Sequence, residues 1–244
     1  MILPLELMIL GIVTIIYMII LIGVGLKMAF TYLRVADKVY IYAGISVIGT
    51  AFPWSGVAIF FISIVFFDIS PPLVIYFLFH GIIIPIASIT WILVILDLFN
   101  LNKTTKKLLR VTFITFWTIL EIVYIILIFN DTTVLGTLLN EIQVDYGPFS
   151  EIFLLIALLQ MVVTTFMLGI KYCKSDNRKI QFRGIMITIA ISIFLFAAIL
   201  EIFIPIIPII ILARILIIFY SFLYYAGFIF PKWVESLFFK EQNV

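Results

Sequence analysis

Residues 7–26 read LMILGIVTIIYMIILIGVGL, an apolar run of 20 residues without a charged side chain. At about 1.5 Å of rise per residue, a helix of this length crosses the roughly 30 Å hydrocarbon core of a bilayer. The rest of the chain has the same character, since it is 65% hydrophobic and 11% charged, with a mean hydropathy of +1.33. This composition excludes the soluble globular class and predicts an integral membrane protein.

Apolar stretches long enough to cross a bilayer occur seven times in the sequence. They lack the alternation of barrel strands, so we predict an all-α integral membrane fold, a single bundle of seven transmembrane helices within residues 1–244. The predicted helices cover residues 7–30, 39–67, 71–96, 108–129, 150–172, 184–203 and 208–231, followed by a short interfacial tail at 232–244.

The positive charges are distributed unevenly between the two sides of this predicted bundle. Of the 15 Lys and Arg residues, 14 lie in or beside the first, third and fifth connections or in the tail, and the remaining one is Arg214. Because basic residues are retained on the cytoplasmic side, we expect an outside N-terminus and a cytoplasmic C-terminus in the cell membrane. The tail, with Lys232 and Lys240, is expected to lie on the inner membrane surface.

The connection at residues 130–151 is the longest on the predicted outer side, and it is acidic. It is long enough to form a short amphipathic turn around residues 135–142. A loop of this length often has a functional role, so it is the candidate for a lid over the bundle.

Residues 201–214 read EIFIPIIPIIILAR and place Glu201 and Arg214 on either side of an apolar turn. Pro205 and Pro208 cannot continue a helix and therefore end helix six and begin helix seven. A charge at this depth costs on the order of 3 kcal/mol unless it has a partner. Glu201 is the nearest candidate in the sequence for the partner of Arg214.

Other polar side chains fall at a similar depth, roughly 10–14 Å below the outer boundary by helical rise. Ionisable groups inside a membrane usually face the bundle interior or a wet cavity, so we predict an outward-facing polar pocket. Pro53 is expected to kink helix two beside this pocket. The predicted ligand-binding residues are Arg214, Glu201, Glu121, His80, Gln160 and Trp54.

Each of these residues also has a structural interpretation. The pair of Arg214 and Glu201 is either a ligand contact or a clamp that closes the last hairpin. Glu121 is either a pocket residue or a buried protonated acid hydrogen-bonded to a neighbour. His80 is more often a satisfied interior histidine than a ligand, and Trp54 is more often a packing residue.

The residue inventory argues against enzymatic activity. The sequence has one histidine and one cysteine, Cys173, which excludes bis-histidine haem and cysteine-cluster metal sites. It also lacks a Gly-rich phosphate loop and a potassium-filter sequence. We therefore expect no enzyme, no metal, no cofactor and no nucleic-acid partner.

Several features resemble the seven-helix membrane region that precedes the kinase in many bacterial and archaeal sensor histidine kinases. These are the basic first loop KMAFTYLRVADK, Trp54 in helix two, Pro85 midway along helix three, and the polar fifth loop KSDNRKIQFRG with Gln181. The resemblance implies a role in sensing or ligand reception without specifying a ligand. The kinase part is not in this sequence, so a signal is expected to leave through a separate cytoplasmic protein.

We therefore expect a sensor- or receptor-like membrane protein that binds a small polar or anionic ligand from outside. In this hypothesis Arg214 holds the negative group of the ligand, and Glu201 is its resting counter-ion. The alternative is a small-solute transporter or channel with a three-plus-one-plus-three arrangement of helices. Similar helix ends, GLK at residues 25–27 and GIK at residues 169–171, point to such parallel repeats.

Overall fold

A computed structural model describes residues 3–204 and 206–239. Pro205 of the predicted turn and Lys240 of the predicted tail lie outside the described residues. The described chain forms an all-α membrane bundle with seven spans long and apolar enough to cross a membrane. Spans one to seven are Leu5–Val35, Val39–Phe67, Leu73–Leu98, Lys103–Asn130, Pro148–Cys173, Arg178–Phe203 and Ile207–Ile229.

The first three spans each contain two α-helices, and the last four are continuous. The helices are α1 Leu5–Phe30, α2 Tyr32–Val35, α3 Val39–Gly49, α4 Ser55–Phe67, α5 Leu73–Gly81, α6 Ile83–Leu98, α7 Lys103–Asn130, α8 Pro148–Cys173, α9 Arg178–Phe203, α10 Ile207–Ile229 and α11 Lys232–Phe238.

Two helices begin earlier than the hydropathy pattern predicts. Spans four and six were expected from residues 108 and 184, where the apolar segments start. The Asn102 side chain instead caps α7 by accepting a backbone N–H bond of 2.8 Å, and Asn177 caps α9 with one of 2.9 Å. Such caps satisfy N–H groups at the helix end, so both helices extend through basic residues beyond the apolar core.

Spans two and three are interrupted at prolines. A 3₁₀ turn at Phe52–Trp54 separates α3 from α4, which is a larger distortion than the kink expected at Pro53. In span three, Pro85 lacks the N–H that would bond to the Gly81 carbonyl, and α5 ends at that glycine. Both interruptions release backbone carbonyls that need other donors inside the membrane.

Six spans form a closed ring and one lies outside it. Spans one, two, three, five, six and seven each pack against the next, and span seven packs against span one. Span four packs mainly against span three. In its apolar window 17% of residues are buried, compared with 61% in span three, so span four is the peripheral helix and span three the central one.

Large apolar side chains cover the outer surface of the spans. Phe66, Phe129 and Phe203 are 71%, 69% and 77% exposed within the chain, and similar residues occur on every span. A soluble protein rarely exposes so much contiguous apolar surface, whereas a bilayer requires it. The surface therefore indicates contact with lipid and a multi-pass membrane protein.

Basic side chains tie neighbouring spans together at one end, which we call the basic end. Lys171 Nζ donates to the Leu98 carbonyl at 2.7 Å, linking spans five and three. Arg183 donates to the carbonyls of Gly227 and Phe228 at 3.0 and 2.5 Å, linking spans six and seven. The basic connections therefore share one end of the bundle, and residues 130–151 lie at the opposite, acidic end.

The long acidic connection is a β-hairpin rather than the amphipathic turn expected around residues 135–142. Strand β1, Gly136–Leu138, pairs antiparallel with β2, Val144–Tyr146. The Asn140 side chain accepts the backbone N–H groups of residues 142 and 143 and stabilises the turn between the strands. Hydropathy did not reveal this local hydrogen bonding, although the apolar Ile142 is fully buried against the bundle.

The close contact between α1 and α3 gives a testable prediction. A Cβ added to Gly44 lies 2.5 Å from the Gly25 carbonyl oxygen and 2.7 Å from the Ala29 nitrogen. We expect Gly44→Ala to lower the free energy of unfolding by about 1–3 kcal/mol, because rigid backbone blocks the methyl group. Thermal unfolding in detergent measures the effect.

Gly23→Ala is the matched control, since a Cβ at this position of α1 meets no atom within 4 Å. It should leave stability unchanged or slightly raised, because Ala has the higher helix propensity. Equal stability of the two variants would contradict the close approach of the helices.

Candidate functional site

Arg214 of α10 and Glu201 of α9 form an ion pair with two parallel hydrogen bonds. Arg214 Nη1 donates to Glu201 Oε2 at 2.6 Å, and Nη2 donates to Oε1 at 2.8 Å. The arginine side chain is 2% exposed and the glutamate side chain is 22% exposed. The guanidinium is therefore the buried side of the pair, and the carboxylate is its accessible edge.

Aromatic rings from spans one and two enclose the guanidinium. Its central carbon lies 4.3 Å from the ring centroid of Trp54 and 5.7 Å from that of Tyr17. Trp54 Nε1 also donates to Glu201 Oε1 at 2.9 Å, so one indole contacts both members of the ion pair. The rings stabilise the cation through cation–π attraction in a site with little water.

The interruption of span two positions this tryptophan. Trp54 ends the 3₁₀ turn, and its ring packs edge-on against Tyr17 with centroids 5.3 Å apart. The Tyr17 hydroxyl donates to the Thr50 carbonyl at 2.9 Å, directly before the same turn. Span one therefore holds the turn in place from the side.

His80 contacts a second carbonyl of the interrupted span, that of Pro53. Its Nδ1 lies 2.5 Å from the Pro53 carbonyl oxygen, and because a carbonyl only accepts, Nδ1 is assigned as the donor. The Tyr146 hydroxyl lies 3.3 Å from the same nitrogen and 3.3 Å from the Tyr76 hydroxyl. The histidine thus connects span two to the hairpin at the acidic end.

Tyr146 is also linked electrostatically to the ion pair. Burial raises the pKa of its phenol well above the usual value, and Tyr76 and the Glu201 carboxylate raise it further. The phenol is therefore a neutral hydrogen-bond donor at physiological pH. His80 bonds to the Pro53 carbonyl next to Trp54, and Trp54 bonds to Glu201. We call these residues, with Arg214, Tyr17 and Tyr146, the polar core.

Gln160 belongs to a separate network. Trp117 Nε1 donates to Gln160 Oε1 at 2.7 Å, and Gln160 Nε2 donates to the Ser88 carbonyl at 2.9 Å. Its amide therefore ties spans four, three and five together. The sequence prediction grouped Gln160 with Arg214 because the two residues have similar depths in the membrane. The observed hydrogen bonds of Gln160 instead reach spans three and four.

Glu121 forms no hydrogen bond or ion pair with Arg214 or Glu201 in the described part of the chain. It lies on the peripheral α7, and its Oε2 is buried without a hydrogen-bond partner among the described residues. A hydrogen bond from a neighbouring group, one of the two interpretations of the sequence, is therefore absent at this oxygen in the described part of the chain.

The polar core is largely buried, with the Glu201 carboxylate as its partly exposed edge, whereas the sequence predicts an open outward-facing pocket. Arg214, His80 and Tyr17 are 2%, 1% and 0% exposed. The rings of Trp54 and Tyr17 lie against the guanidinium, and the Tyr146 hydroxyl lies beside His80. Sequence reasoning missed both tyrosines, although a tyrosine within an aliphatic run, as at Tyr17, is a signal of a polar contact inside a bundle.

No family model, curated protein or solved structure matches this chain. The resemblance to histidine-kinase membrane regions therefore stays a prediction. Within residues 3–204 and 206–239, no group of three or more His, Cys, Asp or Glu side chains is arranged to hold a metal ion. The guanidinium fork of Arg214 pairs with the two oxygens of a carboxylate, here that of Glu201.

Removal of one member of the ion pair gives a second prediction. Glu201→Gln leaves the Arg214 charge without a counter-ion, so we expect the free energy of unfolding to fall by about 3 kcal/mol. Glu201→Gln combined with Arg214→Gln should recover part of this loss, because no net charge is then buried. Thermal unfolding of Glu201→Gln, Arg214→Gln and the double variant in detergent measures the coupling between the two side chains.

Glu151→Gln is the control, because this side chain is exposed at the start of α8. It should change stability by less than about 0.5 kcal/mol. Strictly additive losses at Arg214 and Glu201 would show that the two side chains do not stabilise each other.

Proposed function

We propose that this chain is a sensor- or receptor-like membrane protein that binds a small anionic ligand at Arg214. The observation that carries the proposal is a charged guanidinium held inside an apolar bundle by a carboxylate on its accessible side. A carboxylate or phosphate group of a ligand offers the same pair of oxygens as Glu201. Such a ligand would compete with Glu201 for Arg214.

Exchange of the counter-ion would act on several spans at once. Glu201 belongs to span six, and its Oε1 also accepts the indole N–H of Trp54 in span two. Release of the carboxylate removes both contacts and permits a different packing of spans two, six and seven. A ligand shifts this equilibrium only by its difference in affinity for the two arrangements.

We also propose that the N-terminus is outside the cell membrane and that the basic end is cytoplasmic. The support is the location of 14 of the 15 Lys and Arg residues in or beside the basic connections and the tail. In this orientation the ion pair lies in the outer half of the bundle. The connection between spans five and six and the tail helix α11 face a cytoplasmic signalling protein.

Ligand reception predicts anion-dependent stabilisation. In nanodiscs, we expect acetate, succinate or inorganic phosphate to raise the Tm of the wild type relative to chloride at equal ionic strength. A ligand present at about 100 times its Kd adds roughly 2.7 kcal/mol. Glu201→Gln should respond at lower anion concentration, because the competing carboxylate is gone.

Arg214→Gln combined with Glu201→Gln is the matched control, since it retains polar side chains but lacks the cation. It should show no shift with any of these anions. An equal shift in this double variant, or no shift in both the wild type and Glu201→Gln, would leave the ion pair as a structural clamp.

Two-sided thiol labelling checks the orientation. In a Cys173→Ser background, Leu139→Cys places a thiol on the hairpin, and Lys107→Cys places one at the basic end. An impermeant maleimide should label the first variant in intact cells and the second only after permeabilisation. The reverse pattern would place the basic end outside.

Solute transport is the second candidate, and the adjacent interruptions of spans two and three favour it. Transporters commonly build their substrate sites from discontinuous helices near the middle of the membrane. Ser55 follows the interruption of span two and is 2% exposed. A receptor should leave Ser55→Cys unlabelled from either side in the same background, whereas labelling from both sides would favour transport.

A further inference from the structure

A groove at the basic end lies outside the polar core and is independent of the function proposed for it. It has a volume of about 250 Å³ and runs between the first turns of α9 and the region after span seven. Its lining combines two polar side chains with four apolar ones. The lining residues are Arg178, Gln181, Phe182, Ile185, Phe238 and Phe239.

Contacts between α9 and the tail hold both walls of this groove in place. Lys179 forms an ion pair with Glu235 of α11. The Phe182 ring lies 4.8 Å from the ring centroid of Phe238 and 5.6 Å from that of Phe239. An exposed ion pair contributes little to stability alone, but the aromatic contacts also join α9 to the tail beside the groove. The groove is therefore a formed feature of the fold.

The polar and apolar parts of the groove are separated along α9. Arg178 and Gln181 lie one turn apart on the same side of α9, where the helix begins at the basic end. Phe182 and Ile185 continue that side toward the apolar part of span six. Arg178 is exposed and forms no ion pair with the described residues. The groove thus presents a cation at its mouth and an apolar wall below it.

We propose that this groove binds one anionic phospholipid from the adjacent leaflet. The headgroup phosphate accepts hydrogen bonds from Arg178 and Gln181, and an acyl chain lies along Phe182 and Ile185. Charge complementarity supports this occupant, because anionic lipids concentrate at membrane surfaces that face clusters of basic side chains. A free phosphate would satisfy the polar end and leave the apolar wall unused.

Native mass spectrometry of the purified protein in detergent tests the headgroup contact. With equal amounts of phosphatidylglycerol and phosphatidylcholine added, we expect preferential retention of phosphatidylglycerol. Arg178→Gln should weaken this retention about tenfold, since it removes a charge-assisted hydrogen bond. Lys106→Gln removes the same charge from another basic connection and should leave retention unchanged.

A second pair of variants tests the apolar wall without changing charge. Ile185→Trp fills the groove and should reduce retention of phosphatidylglycerol to the level of phosphatidylcholine. Ile189→Trp, one turn further along α9 and 49% exposed, is the matched control and should retain the lipid. Retention unaffected by both Arg178→Gln and Ile185→Trp would overturn the proposal, and displacement of the lipid by inorganic phosphate would identify a free-phosphate site instead.

Discussion

A backbone that crosses lipid must satisfy its hydrogen bonds within the protein, and the interior of this bundle follows from that requirement. Where span two is interrupted, neighbouring side chains supply the missing donors. Tyr17 donates to the Thr50 carbonyl, and His80 donates to the Pro53 carbonyl. Each substitute donor is a polar group that a purely helical span would not need. The polar core therefore forms around the interruption, and the same turn directs the Trp54 indole to Glu201.

The buried cation depends on this arrangement. Arg214 is tolerated in the membrane because Glu201 occupies two of its donor groups and two aromatic rings lie nearby. A buried ion pair of this kind is weak evidence for stability, since well-packed apolar residues often stabilise a core equally well. The proposed anion exchange would use the same geometry, because the guanidinium fork that pairs with the Glu201 carboxylate also fits an oxygen pair of a ligand.

Hydropathy was sufficient to predict the number of spans and most of their ends, because a bilayer imposes length and apolarity directly. It was insufficient at the starts of spans four and six, where Asn102 and Asn177 cap helices that continue through basic residues. Helical rise gives the depth of a side chain but not the direction in which it points around the bundle. For that reason Gln160 was predicted to share a pocket with Arg214 yet bonds to Trp117. Tyr146 was missed because it lies in strand β2 of a connection and not in a span.

The polar contacts divide the bundle into two groups of spans. Arg214 of span seven contacts side chains from spans one, two and six. Gln160 joins spans three, four and five. The bond between His80 and the Pro53 carbonyl connects the two groups, and Pro53 is adjacent to Trp54 in the interrupted turn. The proposed change of counter-ion at Arg214 would therefore act directly on the first group, and one peptide unit separates that group from the carbonyl bonded to His80 of the second.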